Sequence, residues 1–171
     1  MNYLMIRQKI DQFNSNGGNS PDPSHPRILI FTEGTVLGYR HWWEFFQVKN
    51  YVPIGRCVEK ILGWEKQGAQ IVYLTSCRKQ ADVAAIRDIL VGAGFPGCCL
   101  YYRGQNEEYH YIAEQIVPDV LIEDDCRSIG GRRNWTITYI QPEIKERIHS
   151  IVVPEFHGID HLPADLSALL T

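Results

Sequence analysis

PDVLIEDDCRSIGG, residues 118–131, is the stretch on which the fold turns. Val120, Leu121 and Ile122 form a short apolar run with the length of a buried strand. Three carboxylates follow without a break: Glu123, Asp124 and Asp125. A solvated acidic turn accommodates such a triplet. At the end of a buried strand, however, crowding and desolvation make the same charges costly. A hard cation relieves that cost, because Mg²⁺ takes one or two carboxylates plus waters as ligands. The triplet alone leaves both readings open, and the rest of the chain has to choose between them.

Upstream lie three more apolar runs of strand length: RILIF at 27–31, QIVYL at 70–74 and CCLYY at 98–102. Helical spacing fills the intervals. Val58, Ile61 and Leu62 mark a helix over 55–67 that Gly68 stops. Ile86, Ile89, Leu90 and Ala93 mark another over 79–93. Tyr109, Ile112, Ala113 and Ile116 mark a third over 106–117, which Pro118 ends. The strands are continuously apolar rather than alternating, as in a parallel sheet covered by helices on both faces. The expected fold is α/β, a three-layer α/β/α sandwich with a mostly parallel sheet and at most a minimal cap.

Downstream, TITYI at 136–140 reads as a further strand, 151–153 as a short one and 163–171 as a terminal helix. At the other end, residues 1–13 read as a short amphipathic helix using Leu4, Met5 and Ile10. A Gly-, Pro-, Asn- and Ser-rich loop follows at 14–26. The chain therefore divides into an N-terminal arm and linker at 1–26 and an α/β domain at 27–171. Within the domain, YRHWWEFFQVKNY at 39–51 is crowded with aromatics. It reads as a partly helical excursion: a small cap, a contact through which the chain forms a homodimer, or plain core.

Composition narrows the function. With 171 residues and a formal charge of −3, the chain is long enough for one real core and lacks the basic excess of a nucleic-acid binder. No apolar run approaches membrane-spanning length. The five cysteines are odd in number and show no CxxC spacing, which points to reduced thiols and a cytoplasmic protein.

Open parallel sheets bind ligands at the carboxyl ends of their strands. There the first run ends in Thr32-Glu33-Gly34-Thr35, the second in Thr75-Ser76-Cys77-Arg78 and the fourth in Glu123-Asp124-Asp125. Hydroxyls and loop N–H groups hold anionic oxygens, while acids hold a cation. Together they make a site for a small phosphorylated molecule and Mg²⁺. Cys77, beside Arg78, is either an activated thiol or an inert buried one. Gly130-Gly131-Arg132-Arg133 is either an anion-binding loop or a solvated basic one. His157, Asp160 and His161 lie within a loop, without the helical scaffold that a ligand trio needs.

ILIFTEGTVL, VYLTSCR and PDVLIEDD resemble motifs I, II and IV of the haloacid-dehalogenase-like (HAD) hydrolases. The resemblance covers roughly residues 27–131. It implies a Mg²⁺-dependent phosphohydrolase that works on a small phosphorylated compound. Glu33 then matches the general acid and base of motif I, and Gly34 and Thr35 match its Gly-Thr. Thr75 or Ser76, followed by Arg78, matches the phosphate-binding motif II. Arg103 is the best candidate for the motif III cation. Glu123 and Asp124 match the acid pair of motif IV, with Asp125 beside them, while Ser128 stands where a further metal-binding acid is often found. The departure is at Phe31, in the position of the nucleophilic Asp, since phenylalanine has no lone pair with which to attack phosphorus.

Two functions follow from this pattern. One is a phosphohydrolase whose activity is weak or lost. The other is a non-catalytic module that holds a phosphorylated ligand or a protein partner. A receiver-like phosphoacceptor domain fits less well, because the first strand ends in Phe rather than an acid.

Overall fold

Eight strands and six helices account for the regular structure in the computed structural model, which describes residues 10–12, 24–104 and 106–171. The strands are β1 (Ile10–Gln12), β2 (Arg27–Phe31), β3 (Leu37–Gly38), β4 (Val52–Pro53), β5 (Gln70–Thr75), β6 (Cys99–Tyr102), β7 (Val120–Asp124) and β8 (His149–Val153). The helices are α1 (Cys57–Lys66), α2 (Gln80–Gly92), α3 (Tyr109–Ile116), α4 (Thr136–Tyr139), α5 (Pro142–Lys145) and α6 (Leu166–Leu169).

Six strands form the main sheet in the order β1-β6-β5-β2-β7-β8. All neighbours are parallel except β1, which runs antiparallel to β6. The side-chain period of two sorts β2 between two cores. Ile28 and Ile30 pack with Ile61 and Trp64 of α1 and with Val83, Ile86 and Leu90 of α2. Leu29 and Phe31 pack on the opposite face with Ile112, Ala113 and Ile116 of α3 and with Ile137 of α4. Leu166 and Leu169 of α6 join the first core. The expected three-layer α/β/α sandwich is the observed one.

Register brings the strand ends level. Phe31 pairs with Leu74, Ile30 with Ile122, and Asp124 with Val153. The segments after β2, β5, β7 and β8 therefore leave the sheet at one edge. The chain winds outward through β2, β5 and β6 and then returns to place β7 on the other side of β2. This reversal opens a crevice at the carboxyl ends of β2 and β7, the usual ligand position in open α/β sheets.

Three segments differ from the sequence reading. TITYI is a turn of helix, α4, rather than a strand. Its β-branched residues favour a strand, but packing in the second core and capture of its first N–H groups by Glu123 override that preference. Residues 10–12 are an edge strand and not part of a helix, because β6 offers them a backbone ladder. The rest of the helix expected over 1–13, and the loop up to residue 23, lie outside the described residues. The 39–51 excursion holds two short 3₁₀ turns, Trp42–Glu44 and Val48–Asn50, and springs from a two-stranded stem in which β3 pairs with β4.

Candidate functional site

The turn after β2 is tight: Leu37 N donates to Thr32 O at 2.8 Å and Gly34 N to Leu37 O at 2.9 Å. It projects Glu33 toward the end of β5. The Glu33 carboxylate accepts from the Thr32 hydroxyl at 2.6 Å, the Ser76 N–H at 3.0 Å, the Cys77 thiol at 3.1 Å and the Thr75 hydroxyl. Thr75 is fully buried, and its oxygen also accepts from Cys77 N at 3.1 Å. Burial and the neighbouring Glu33 charge push the Cys77 thiol far up, so it stays protonated; the activated-thiol alternative for Cys77 has no support here.

Asp124, the last residue of β7, lies across the crevice. Its Oδ1 accepts from the buried Thr35 hydroxyl at 3.4 Å and its Oδ2 from Cys126 N at 2.9 Å. Burial, aided by the charge of Glu155, lifts its pKa from 3.8 to about 6. Asp124, Asp125 and Glu155 each bring one ligand atom to within 4.8 Å of the others. Three clustered carboxylates form a hard-oxygen donor set, and a divalent cation would offset both the burial of Asp124 and the charge of Glu155 beside it. They fit a Mg²⁺-type ion.

Glu155 escaped the sequence reading although it carried the same signal as the other acids, a carboxylate just past an apolar run. Strand β8 places it beside Asp125, whose Oδ1 accepts from Glu155 N at 3.1 Å. The Glu155 carboxylate in turn holds Ser128, through N at 2.8 Å and Oγ at 2.6 Å. Ser128 is thus held by an acid from the segment that follows β8.

Glu123 borders the cavity in this crevice but lies outside the three-carboxylate cluster. Adjacent strand residues point to opposite faces, so Asp124 faces Thr35 while Glu123 faces α4. Its carboxylate accepts from Thr136 N at 2.7 Å and Ile137 N at 3.1 Å. Burial raises its pKa from 4.5 to about 7 against these two bonds, which favour the charge.

A cavity of about 440 Å³ lies between these groups, with Glu33, Gly34, Ser76 and Asp124 in its lining. Phe31, Tyr109 and Trp135 supply apolar wall, and Phe45 and Phe46 of the 39–51 excursion reach it from above. Trp42 and Trp43 do not line it; they are 77% and 58% exposed. Covering falls instead to Phe45, tied down by Tyr51, whose hydroxyl donates to Phe45 O at 2.6 Å.

The cations divide unequally. Arg103 lines the cavity, donates to Glu108 Oε2 at 2.7 Å and sits 4.2 Å above the Tyr109 ring. Its Nε is buried without a hydrogen-bond partner among the described residues. Arg78 is exposed and outside the lining, whereas Arg133, from the basic loop, is part of it. Asp160 is engaged elsewhere, accepting from Arg56 N at 2.9 Å.

No protein-family model and no curated protein matches the chain. Solved structures do. The class C acid phosphatase from Bacillus anthracis with tungstate bound is 16% identical, with a TM-score of 0.52 over 88% of this chain and 78% of that one. The fold is HAD-like. Chains from two structures of the Pnkp1/Rnl/Hen1 RNA repair complex match with TM-scores of 0.54 and 0.51 at 11% and 13% identity. These matches cover 83% and 82% of this chain, which spans about half the length of theirs, 52% and 47%. At such identities the likeness is one of architecture alone, that of a three-layer α/β fold.

Proposed function

We propose that this HAD-like chain binds a small phosphorylated compound together with a divalent cation, and that hydrolysis through a phospho-aspartate is lost. The observation that carries the reading is the convergence of Ser76 and Arg103 with Asp124 and Glu155 on one cavity, with Thr75 buried behind the first pair and Asp125 completing the carboxylate cluster. Anion-binding and cation-binding groups then serve one ligand. Phe31 occupies the position of the expected nucleophile and packs edge-on to Tyr109, with ring centroids 5.2 Å apart. Attack on phosphorus needs an oxygen in line with the leaving group, and no neighbour replaces it.

Each residue has a part in this reading. Asp124, Asp125 and Glu155 would hold Mg²⁺, which when bound neutralises phosphate charge and polarises its oxygens. The Thr75 hydroxyl and Ser76 N–H, which donate to Glu33 in this structure, would turn to phosphate oxygens. Arg103 adds a fixed positive charge at the wall, and Gly34 lets the turn approach Asp124. Phe45, Phe46 and Trp135 exclude water from an apolar portion of the ligand.

A second reading keeps slow catalysis, and the carboxylate cluster that Asp124 and Glu155 bring to the same cavity favours it. Water would attack phosphorus directly, forming one P–O bond as the ester P–O bond breaks. A proton would pass from water to Glu33 and then to the leaving oxygen. Calorimetry with Mg²⁺ and a panel of phosphorylated metabolites, run beside a phosphate-release assay, separates the two. Saturable, Mg²⁺-strengthened binding without phosphate release supports the first reading. Release that disappears in Asp124→Asn supports the second. Neither binding nor release across the panel would overturn both.

A further inference from the structure

The donors gathered on Glu33 are unusual for a general acid and base, because they leave neither carboxylate oxygen idle. Oε1 accepts from the Thr75 hydroxyl and the Cys77 thiol, and Oε2 from the Thr32 hydroxyl and the Ser76 amide. Two hydroxyls, a thiol and a loop amide converge from the ends of β2 and β5 on one anionic point. Hydroxyls and loop amides that converge in this way stabilise an oxyanion of any origin through charge-assisted bonds. Here the anion is part of the chain, and it still borders the cavity.

We infer that Glu33 is the resident occupant of an oxyanion site made by Thr32, Thr75, Ser76 and Cys77, and that a phosphoryl group enters only by displacing its carboxylate. The inference rests on the phosphate-pocket reading above and adds what keeps that pocket closed. A tethered group competes at an effective concentration in the millimolar range or higher. A free anion of similar intrinsic strength therefore loses to Glu33 until it exceeds that concentration, or until contacts elsewhere in the cavity help it. The same engagement leaves Glu33 unavailable as a base while the site is closed. Anion entry and release of the carboxylate are one event.

The probe is inorganic phosphate, with acetate as a second oxyanion. Both are titrated by calorimetry, and by the shift of the thermal unfolding midpoint, into wild type, Glu33→Ala, Glu33→Gln and the double variant Glu33→Ala/Thr75→Ala. Phosphate is expected to bind Glu33→Ala at least tenfold more tightly than wild type, with Glu33→Gln in between. Adding Thr75→Ala should remove the gain. If Glu33→Ala is unfolded in plain buffer, phosphate or acetate is expected to refold it, and failure of both anions to do so counts against the site. Equal phosphate affinity in wild type and Glu33→Ala would overturn the resident-occupant inference and leave the phosphate pocket standing. Absence of phosphate binding in every variant, with and without Mg²⁺, would overturn the pocket itself.

Discussion

Gly34 and Asp124 are pressed together so closely that a methyl group on Gly34 would stand 2.9 Å from the Asp124 carboxyl carbon. Gly34 also adopts a φ of +79°, which side chains disfavour. The contact welds the turn after β2 to the end of β7 and fixes Asp124 at the mouth of the crevice. Gly34→Ala is expected to destabilise the fold by about 2–3 kcal/mol, from left-handed strain and the clash together. It should also weaken Mg²⁺ binding, since Asp124 must move. Urea denaturation and a Mg²⁺ titration read the two effects, and an unchanged midpoint with unchanged affinity would refute the weld.

Glu123 and Asp124 are neighbours with separate tasks. Glu123→Ala strands the N–H groups of Thr136 and Ile137 in a buried place, which costs roughly 2–3 kcal/mol. Mg²⁺ affinity should hardly change. Asp124→Asn should do the reverse, abolishing the Mg²⁺ heat at a smaller cost in stability. Loss of Mg²⁺ binding in a folded Glu123→Ala protein would return Glu123 to the metal site.

The wild type is expected to show phosphatase activity near background and to form no covalent phosphoenzyme. Loss of a nucleophile in well-studied hydrolases costs on the order of a million-fold. Phe31→Ala should leave any residual turnover unchanged while destabilising the second core by about 3–4 kcal/mol. A phosphoenzyme trapped on acid quench would show that another residue attacks.

Burial raises two carboxylates, Glu123 from 4.5 to about 7 and Asp124 from 3.8 to about 6. A group whose pKa rises on folding binds its proton more readily in the folded state. Its contribution to stability is therefore fully present below the unfolded value and is lost as pH rises through the folded one. Without divalent cations, the unfolding midpoint should climb as pH falls from about 7.5 to about 5, for a gain of roughly 4 kcal/mol if both shifts act in full. Saturating Mg²⁺ should flatten the trend, because the cation favours ionised Asp124. A midpoint that falls steadily through this window would contradict the assignment.

Much of this architecture was readable from apolar runs and breakers. RILIF, QIVYL and VLI stood out as buried strands because burial on both faces leaves no polar alternation to blur them. Glu33, Thr75 and Asp124 could be gathered in advance, since they end strands that a parallel sheet sets side by side. TITYI was misread because its helical turn depends on a distant carboxylate, which local preference cannot register. Glu155 was missed because its run, ending at Val153, is short and half exposed. That Glu123 turns to α4 while Asp124 turns to Thr35 follows from the period of two, although both acids border the cavity. The occupation of the Thr75–Ser76–Cys77 donors by Glu33 depends on a rotamer, which no spacing reveals.

The antiparallel pairing of Ile10–Gln12 with β6 has a consequence for solution behaviour. A parallel sheet that stopped at β6 would present that strand's amides and carbonyls as a template for another copy. Open edges of this kind nucleate intermolecular pairing. Residues 10–12 therefore act as a guard rail, and a chain shortened to begin at residue 27 would gain self-adhesion at Cys99–Tyr102.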